Sequence, residues 1–224
     1  MKTSIKLLLV FVGIVGLLML ASDVVLWAYF KKGINGDGQK LRFGRWEDKV
    51  VALRPFKAIV LKTDYDAPLR VYASDKYSLN YPGFDSSKVR YSQEGDTLYV
   101  STGEGEVVKV NCPPVQFIRV VNGNSHLMLF HFSQPSLLLE ASDDCEVVLT
   151  QLNIKQLYFK GGKFNKISAF DVGNIDSMNI QLGWYGSVDL NDMTVGSLTI
   201  KADSLKQLSL NGAAAAGLKR LQYP

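Results

Sequence analysis

Asp171 and Asp192 stand 21 residues apart. Two carboxylates can ligate Ca²⁺ or act as acid and base on a glycosidic bond. This pair meets only if the chain returns on itself at that interval. The alternative is two solvated turn residues, because Asp suits a bend. Asp143 and Asp144 fall in another bend and read the same way. His126 and His131, the only histidines, are five apart. On one strand they point to opposite faces and cannot share a metal. Cys112 and Cys145 are the only cysteines. They are read as buried free thiols, with a disulfide as the alternative in an exported chain. "GGK" at 161–163 lacks the remaining residues of a phosphate loop. No G-x-S-x-G or H-E-x-x-H motif occurs. No catalytic, metal or cofactor site is therefore assigned, and the protein is not expected to be an enzyme.

The elements that would position these residues show a repeat. Leu137/Leu139, Leu157/Phe159, Met178/Ile180 and Leu198/Ile200 follow one another at steps of 20, 21 and 20. Val147/Leu149, Ile167/Ala169, Val188/Leu190 and Leu208/Leu210 keep the same steps. A third series runs through Leu152, Val172, Met193 and Ala213, and Leu127/Leu129 and Phe132 extend the last two series backwards. Three series with one spacing define a repeat. Short alternating strands at this period predict turns stacked about 4.8 Å apart. The fold class expected is all-β: a single-stranded β-solenoid of about 20 residues per rung, preceded by an N-terminal transmembrane helix. A sandwich is the competing architecture. The register places Asp171 over Asp192. It also makes Tyr185, aligned with Phe164 and Leu205, a core residue. Trp184, aligned with Lys163 and Ser204, should face out, where it could stack on a sugar ring or a partner, or pack against a loop.

Upstream, "FKAIVL", "PLRVYA", "KYSLNY", "KVRYSQ" and "TLYVST" alternate as short strands. "QEGDT" reads as a hairpin turn with Gly95 at positive φ. No segment after Lys32 has a helical apolar period. At the end, Ala213–Ala216 are followed by "GLKRLQYP", whose charge and proline would either protect the last edge or form a frayed tail.

Residues "PFKAIVL", "APLRVYASDKYSLNY" and "KVRYSQEGDTLYVST", followed by the rungs, resemble the auto-transporter adhesin head GIN domain of exported bacterial proteins. The resemblance spans residues 55–212 and rests on loose motifs: F-x-x-I at Phe56–Ile59 and a G-D-T-L-x-V-S segment ending at Ser101. It implies a secreted or envelope-anchored β-helical domain and carries over no catalytic residue.

Leu7–Phe30 is a 24-residue apolar stretch broken only by Ser22 and Asp23, a length that spans a bilayer core as a helix. Trp27, Tyr29, Phe30, Lys31 and Lys32 suit a membrane boundary. A cleaved signal peptide is the alternative, although Met19 and Ala21 make a poor cleavage site. The division expected is residues 1–32 as anchor or signal, 33–55 as linker, and 56–224 as solenoid, with repeats from about 117. The formal charge of +4 is not a nucleic-acid signal. Lys2, Lys6, Lys31 and Lys32 flank the span and Asp23 lies in it, so 21 basic and 20 acidic residues remain beyond it. A nucleic-acid binder would show a basic excess there.

The function expected is a membrane-anchored, exported adhesion-type module of the bacterial envelope. Its partners are the membrane, through residues 7–30, and a protein or glycan ligand on a flat β face near Trp184, Asp171 and Asp192. The solenoid would be periplasmic or extracellular. The alternatives are a cytosolic membrane-tethered scaffold resembling bactofilins and a polysaccharide-active β-helix enzyme.

Overall fold

The computed structural model describes residues 13, 15, 17–25, 27, 28, 48–63, 68–83, 89–103, 107–121, 123–171, 173–191 and 193–223. The chain forms two units, Met1–Trp46 and Glu47–Pro224. In the first, the described residues from Gly13 to Ala28 are helical. The Ser22 hydroxyl donates to the Met19 carbonyl at 2.8 Å, which returns one polar group to the helix backbone. The apolar stretch Leu7–Phe30 lies partly outside the described residues. Among those described, no helix is long and apolar enough to cross a membrane.

The second unit is built almost entirely from strands. They are β1 (Asp48–Ala52), β2 (Ala58–Thr63), β3 (Pro68–Ala73), β4 (Ser78–Pro82), β5 (Val89–Glu94), β6 (Thr97–Thr102), β7 (Val108–Cys112), β8 (Phe117–Val121) and β9 (Ser125–Phe130). Then follow β10 (Ser133–Ala141), β11 (Cys145–Thr150), β12 (Asn153–Gly161), β13 (Lys166–Phe170), β14 (Gly173–Leu182), β15 (Gly186–Leu190), β16 (Met193–Ala202) and β17 (Leu205–Leu210). Helix α1 (Gly212–Gly217) and β18 (Leu218–Gln222) close the chain. β1 begins inside the stretch read from sequence as a tether, and α1 is a helix that the apolar pattern does not announce. Its six residues are too short to show a periodicity.

From β8 onward the chain winds through five turns, each giving one strand to each of two nine-stranded sheets. Parallel pairing aligns Leu137, Leu157, Met178 and Leu198 along one sheet. It aligns Leu127, Val147, Ile167, Val188 and Leu208 along the other. The first two expected series are therefore true ladders. Their residues up to Leu198 and Val188 are almost wholly inaccessible. Burying each large one stabilises the stack by roughly 1.5–3 kcal/mol. The long strands bend where two successive residues face out, at Pro135/Ser136 and Lys155/Gln156.

The third series needs a correction. Leu152 and Met193 flank Gly173, not Val172, because β12 pairs Asn153 with Asn174 and β14 pairs Gly173 with Met193. Val172 itself lies outside the described residues. Three residues separate Ala169 from Gly173, against two between Leu149 and Leu152 and two between Leu190 and Met193. That one extra corner residue makes the step 21. At the next rung Ala214 is buried and Ala213 is exposed.

Stacking order departs from chain order at the N-terminal end. β2 pairs with both β6 and β8, and β3 with both β7 and β9. The first turn thus lies between the second and the third. β4 adds antiparallel to β7, β1 to β4, and β5 to β6. Gly95 makes the β5–β6 hairpin at φ +55°, as its position requires. At the other end β18 pairs with β16, while Ala214 and Gly217 of α1 are buried. A Cβ on Gly217 would collide with the Val195 carbonyl. The C-terminal segment is therefore a cap.

One corner is closed by a buried amide. Asn165 Oδ1 accepts the Cys145 N–H at 2.7 Å, and its Nδ2 donates to the Ser142 carbonyl at 2.8 Å. Gly161 leaves room for it: a Cβ there would stand 2.8 Å from Asn165 Nδ2. Leaving both backbone groups unpaired is costly. Asn165→Ala is therefore expected to lower unfolding free energy by about 2–4 kcal/mol in a denaturant titration. Asn179→Ala, on an outward position of β14, should stay within about 0.5 kcal/mol. Equal losses for the two would contradict this role.

Candidate functional site

The corners between the two sheets hold the residues singled out for chemistry. At the corner entering β9, β11, β13 and β15, successive rungs place Asn124, Asp144, Phe164 and Tyr185, all at φ between 56° and 58°. The N–H groups of Asn124, Asp144 and Phe164 donate to the carbonyls of Asp144, Lys163 and Trp184 on the next rung, at 2.7–2.8 Å. The ladder ends where the Tyr185 N–H donates to Ser204 Oγ at 2.8 Å. Lys163 N–H is also held, by Asp143 Oδ1 at 2.7 Å. Asn and Asp enter the left-handed region readily, whereas an aromatic residue there costs about 1–2 kcal/mol. The inter-rung hydrogen bonds hold Phe164 and Tyr185 in place against that cost.

Tyr185 is therefore not a core residue, contrary to the alignment with Leu205. The register shifts opposite Gly186/Ser187, where β17 carries the extra residue Lys206, and it is Gly186 that pairs with Leu205. Positive φ turns the Tyr185 side chain out, leaving it 52% exposed, with Phe164 56% exposed. Their rings stack parallel, 5.6 Å between centroids and 1° between planes. Trp184, also 56% exposed, faces out as its register predicts. The three form a solvent-facing aromatic edge. Aromatic faces of this kind offer apolar contact area at low conformational cost, suited to a sugar ring or a partner's side chain.

The carboxylate pair fares differently. Asp192 lies outside the described residues. Asp171 is exposed at φ +69°, and Gln151 Nε2 donates to its Oδ2 at 3.5 Å from the rung before. His131 and Gln151 occupy the matching corner positions, also at positive φ. His131 is thus a corner residue, while His126 is exposed on β9, its Nδ1 3.3 Å from Glu146 Oε2. Lys166 Nζ lies 2.7 Å from the other oxygen of Glu146. Among the described residues, no group of three or more His, Cys, Asp or Glu could hold a metal ion.

Cys112 and Cys145 are buried thiols outside any disulfide, as the sequence suggested, and align in register with Ala73 and Ser125 rather than with each other. Burial disfavours the thiolate, pushing the Cys112 thiol up to about 12 and the Cys145 thiol upward as well.

No family model and no curated protein matches the chain. The architecture, a two-sheet β-solenoid, does match solved structures. A crystal structure of a "putative adhesin" from Parabacteroides distasonis superposes with a TM-score of 0.62 at 13% identity, covering 81% of this chain and 77% of that one. Another, of a "putative adhesin" from Bacteroides fragilis, gives 0.59 at 12% identity over 69% and 75% of the two chains. The chain shares their fold. The resemblance drawn over residues 55–212 points to the same β-helical class.

The thiols give a pH prediction. The folded chain keeps the Cys112 proton to about pH 12, while the unfolded thiol releases it near 9. The folded state therefore binds more protons in that window, and stability falls as pH rises through it. Below pH 9 this contribution is fully present. Denaturant midpoints should decline from pH 9 upward, and both thiols should react with 5,5′-dithiobis(2-nitrobenzoate) at pH 8 only after unfolding. Fast labelling of the native protein would contradict the burial.

Proposed function

We propose that the chain is an adhesion-type binding module of the bacterial cell envelope, exported and tethered to the membrane through residues 7–30. The observation that carries this reading is the aromatic edge of Phe164, Trp184 and Tyr185. Three large aromatic side chains stand in solvent, two of them at unfavourable φ. The corner conformation recurs on successive rungs, so aromatic residues there, in place of the Asn124 and Asp144 of earlier rungs, are a costly choice that supports a binding role. The fold shared with the two solved structures supports the same reading. A cleaving role needs a second carboxylate beside Asp171, and among the described residues Asp171 has Gln151 as its hydrogen-bonding neighbour. At the N-terminal end the outermost strands, β1 and β5, pair antiparallel with their neighbours, which weighs against a scaffold that polymerises end to end through parallel rungs.

Two measurements test this. Protease added to intact spheroplasts should remove the solenoid; a protected solenoid would favour the cytosolic scaffold. Phe164→Asn and Tyr185→Asn suit the left-handed φ, so relief of strain offsets lost stacking and stability should change by less than about 1 kcal/mol. Together with Trp184→Ala they should cut retention on cellulose or chitin by roughly tenfold. If the unmodified chain is retained on neither glycan nor on collagen, the adhesion reading of this edge fails.

A further inference from the structure

The outer face of the sheet formed by the long strands is basic. Lys62 on β2, Arg90 on β5, Arg119 on β8, Lys160 on β12 and Lys201 on β16 all face solvent there. The acidic residues exposed on this sheet are Glu140, held by Arg119 at 2.6 Å, Asp176 on β14, and Glu94 on the edge strand. Among the described residues, Lys62, Arg90, Lys160 and Lys201 take no ion pair. Since the solenoid is close to neutral overall, this is a local concentration of charge and not a general property of the chain.

The charges follow the rung geometry. Arg119, Glu140, Lys160, Gln181 and Lys201 form one row across the strands. Cations therefore recur on alternate rungs, about 10 Å apart. The adjoining row contains Phe117, Leu138 and Tyr158, then Asn179 and Thr199. The Arg119 guanidinium lies over the Phe117 ring at 5.1 Å. Two open troughs run over this face. One, of about 360 Å³, is lined by Lys62, Arg90 and Tyr99. The other, of about 410 Å³, is lined by Arg119, Glu140 and Lys160. Val121 borders both, so they are neighbours on this face.

We propose that this face binds a linear acidic polysaccharide, with its carboxylates on the lysine row and its sugar rings against Tyr99 and Tyr158. Lys160 and Lys201, the unpaired cations of the row, stand two rungs or about 10 Å apart, a spacing that suits a polymer with evenly spaced acids. The troughs are concave, which suits a single extended chain better than a flat bilayer. Between Lys160 and Lys201 the Gln181 amide can pair with sugar hydroxyls, while the Glu140 carboxylate is held by Arg119. This surface is distinct from the aromatic corner, and the inference does not rest on it.

The test uses the full chain and polygalacturonate, with neutral dextran as the reference polymer. Binding should weaken steeply with salt, as displaced counterions require. Lys160→Gln with Lys201→Gln should weaken it roughly tenfold, whereas Lys76→Gln with Lys206→Gln, the same charge change on exposed residues elsewhere, should stay within about twofold. Trp184→Ala should leave it within about twofold, which separates this inference from the reading of the corner. Circular dichroism melting confirms that each variant is folded. The inference is overturned if polygalacturonate binds no better than dextran, or if both lysine pairs weaken binding equally. It is also overturned if Lys160 and Lys201 act only on phosphatidylglycerol vesicles.

Discussion

The in-register parallel ladder governs this protein. Each inward side chain sits on its counterpart one turn away, about 4.8 Å along the stack, so its volume is set by neighbours above and below as well as across. Gly173 illustrates the coupling. Between Leu152 and Met193 it contributes no side chain, and Met193 Cε lies 3.1 Å from where its Cβ would stand. The Leu152 carbonyl, 2.9 Å from the same point, leaves no room for a larger residue. A flexible thioether fills the irregular space. The extra residue in the corner just before is absorbed outside the ladder, so the register recovers within one rung.

The same constraint sends function outward. Inward positions are occupied by the apolar stack, and among the described residues the one fully buried Asn, Asn165, serves the backbone of the preceding turn. What remains free is the corners and the outward rows. The corner ladder keeps Phe164 and Tyr185 in a conformation normally left to Gly or Asn, and so presents their rings to solvent beside Trp184. The outer rows of the long-strand sheet repeat chemical groups at rung spacing. A solenoid thus offers surfaces that are regular along one axis, a geometry better matched to extended partners than to small molecules in a pocket.

Much of the fold was legible because the ladder imposes a numerical signature. The steps of Leu137, Leu157, Met178 and Leu198 needed no knowledge of packing, since equal spacing of apolar pairs is a sufficient mark of a repeat. Gly95 and the hairpin around it were equally plain. The site was less legible. Trp184 could be placed outward by register, but Tyr185 could not. Its exposure follows from a positive φ and from a register shift opposite Gly186/Ser187, and neither leaves a mark in the apolar pattern. Asp144 and Asn124, one and two rungs before Phe164, are the only sequence hint of that left-handed corner. Val172 was placed on the ladder because its residue type suits a core; a single corner insertion moves the position to Gly173.

By itself, then, the sequence determined the period, the inward faces of five turns and the neutrality of the solenoid beyond its apolar leader, because each is a property of spacing or of counted charge. Only the tertiary structure decided that β2–β3 lies between β6–β7 and β8–β9, that α1 and β18 cap the last rung, that Phe164 and Tyr185 stack in solvent, and that five cations share one outer face. Those outcomes depend on pairings between segments far apart in the chain and on single-residue backbone conformations. Local alternation is the same whichever partner a strand finds, so it carries no record of them.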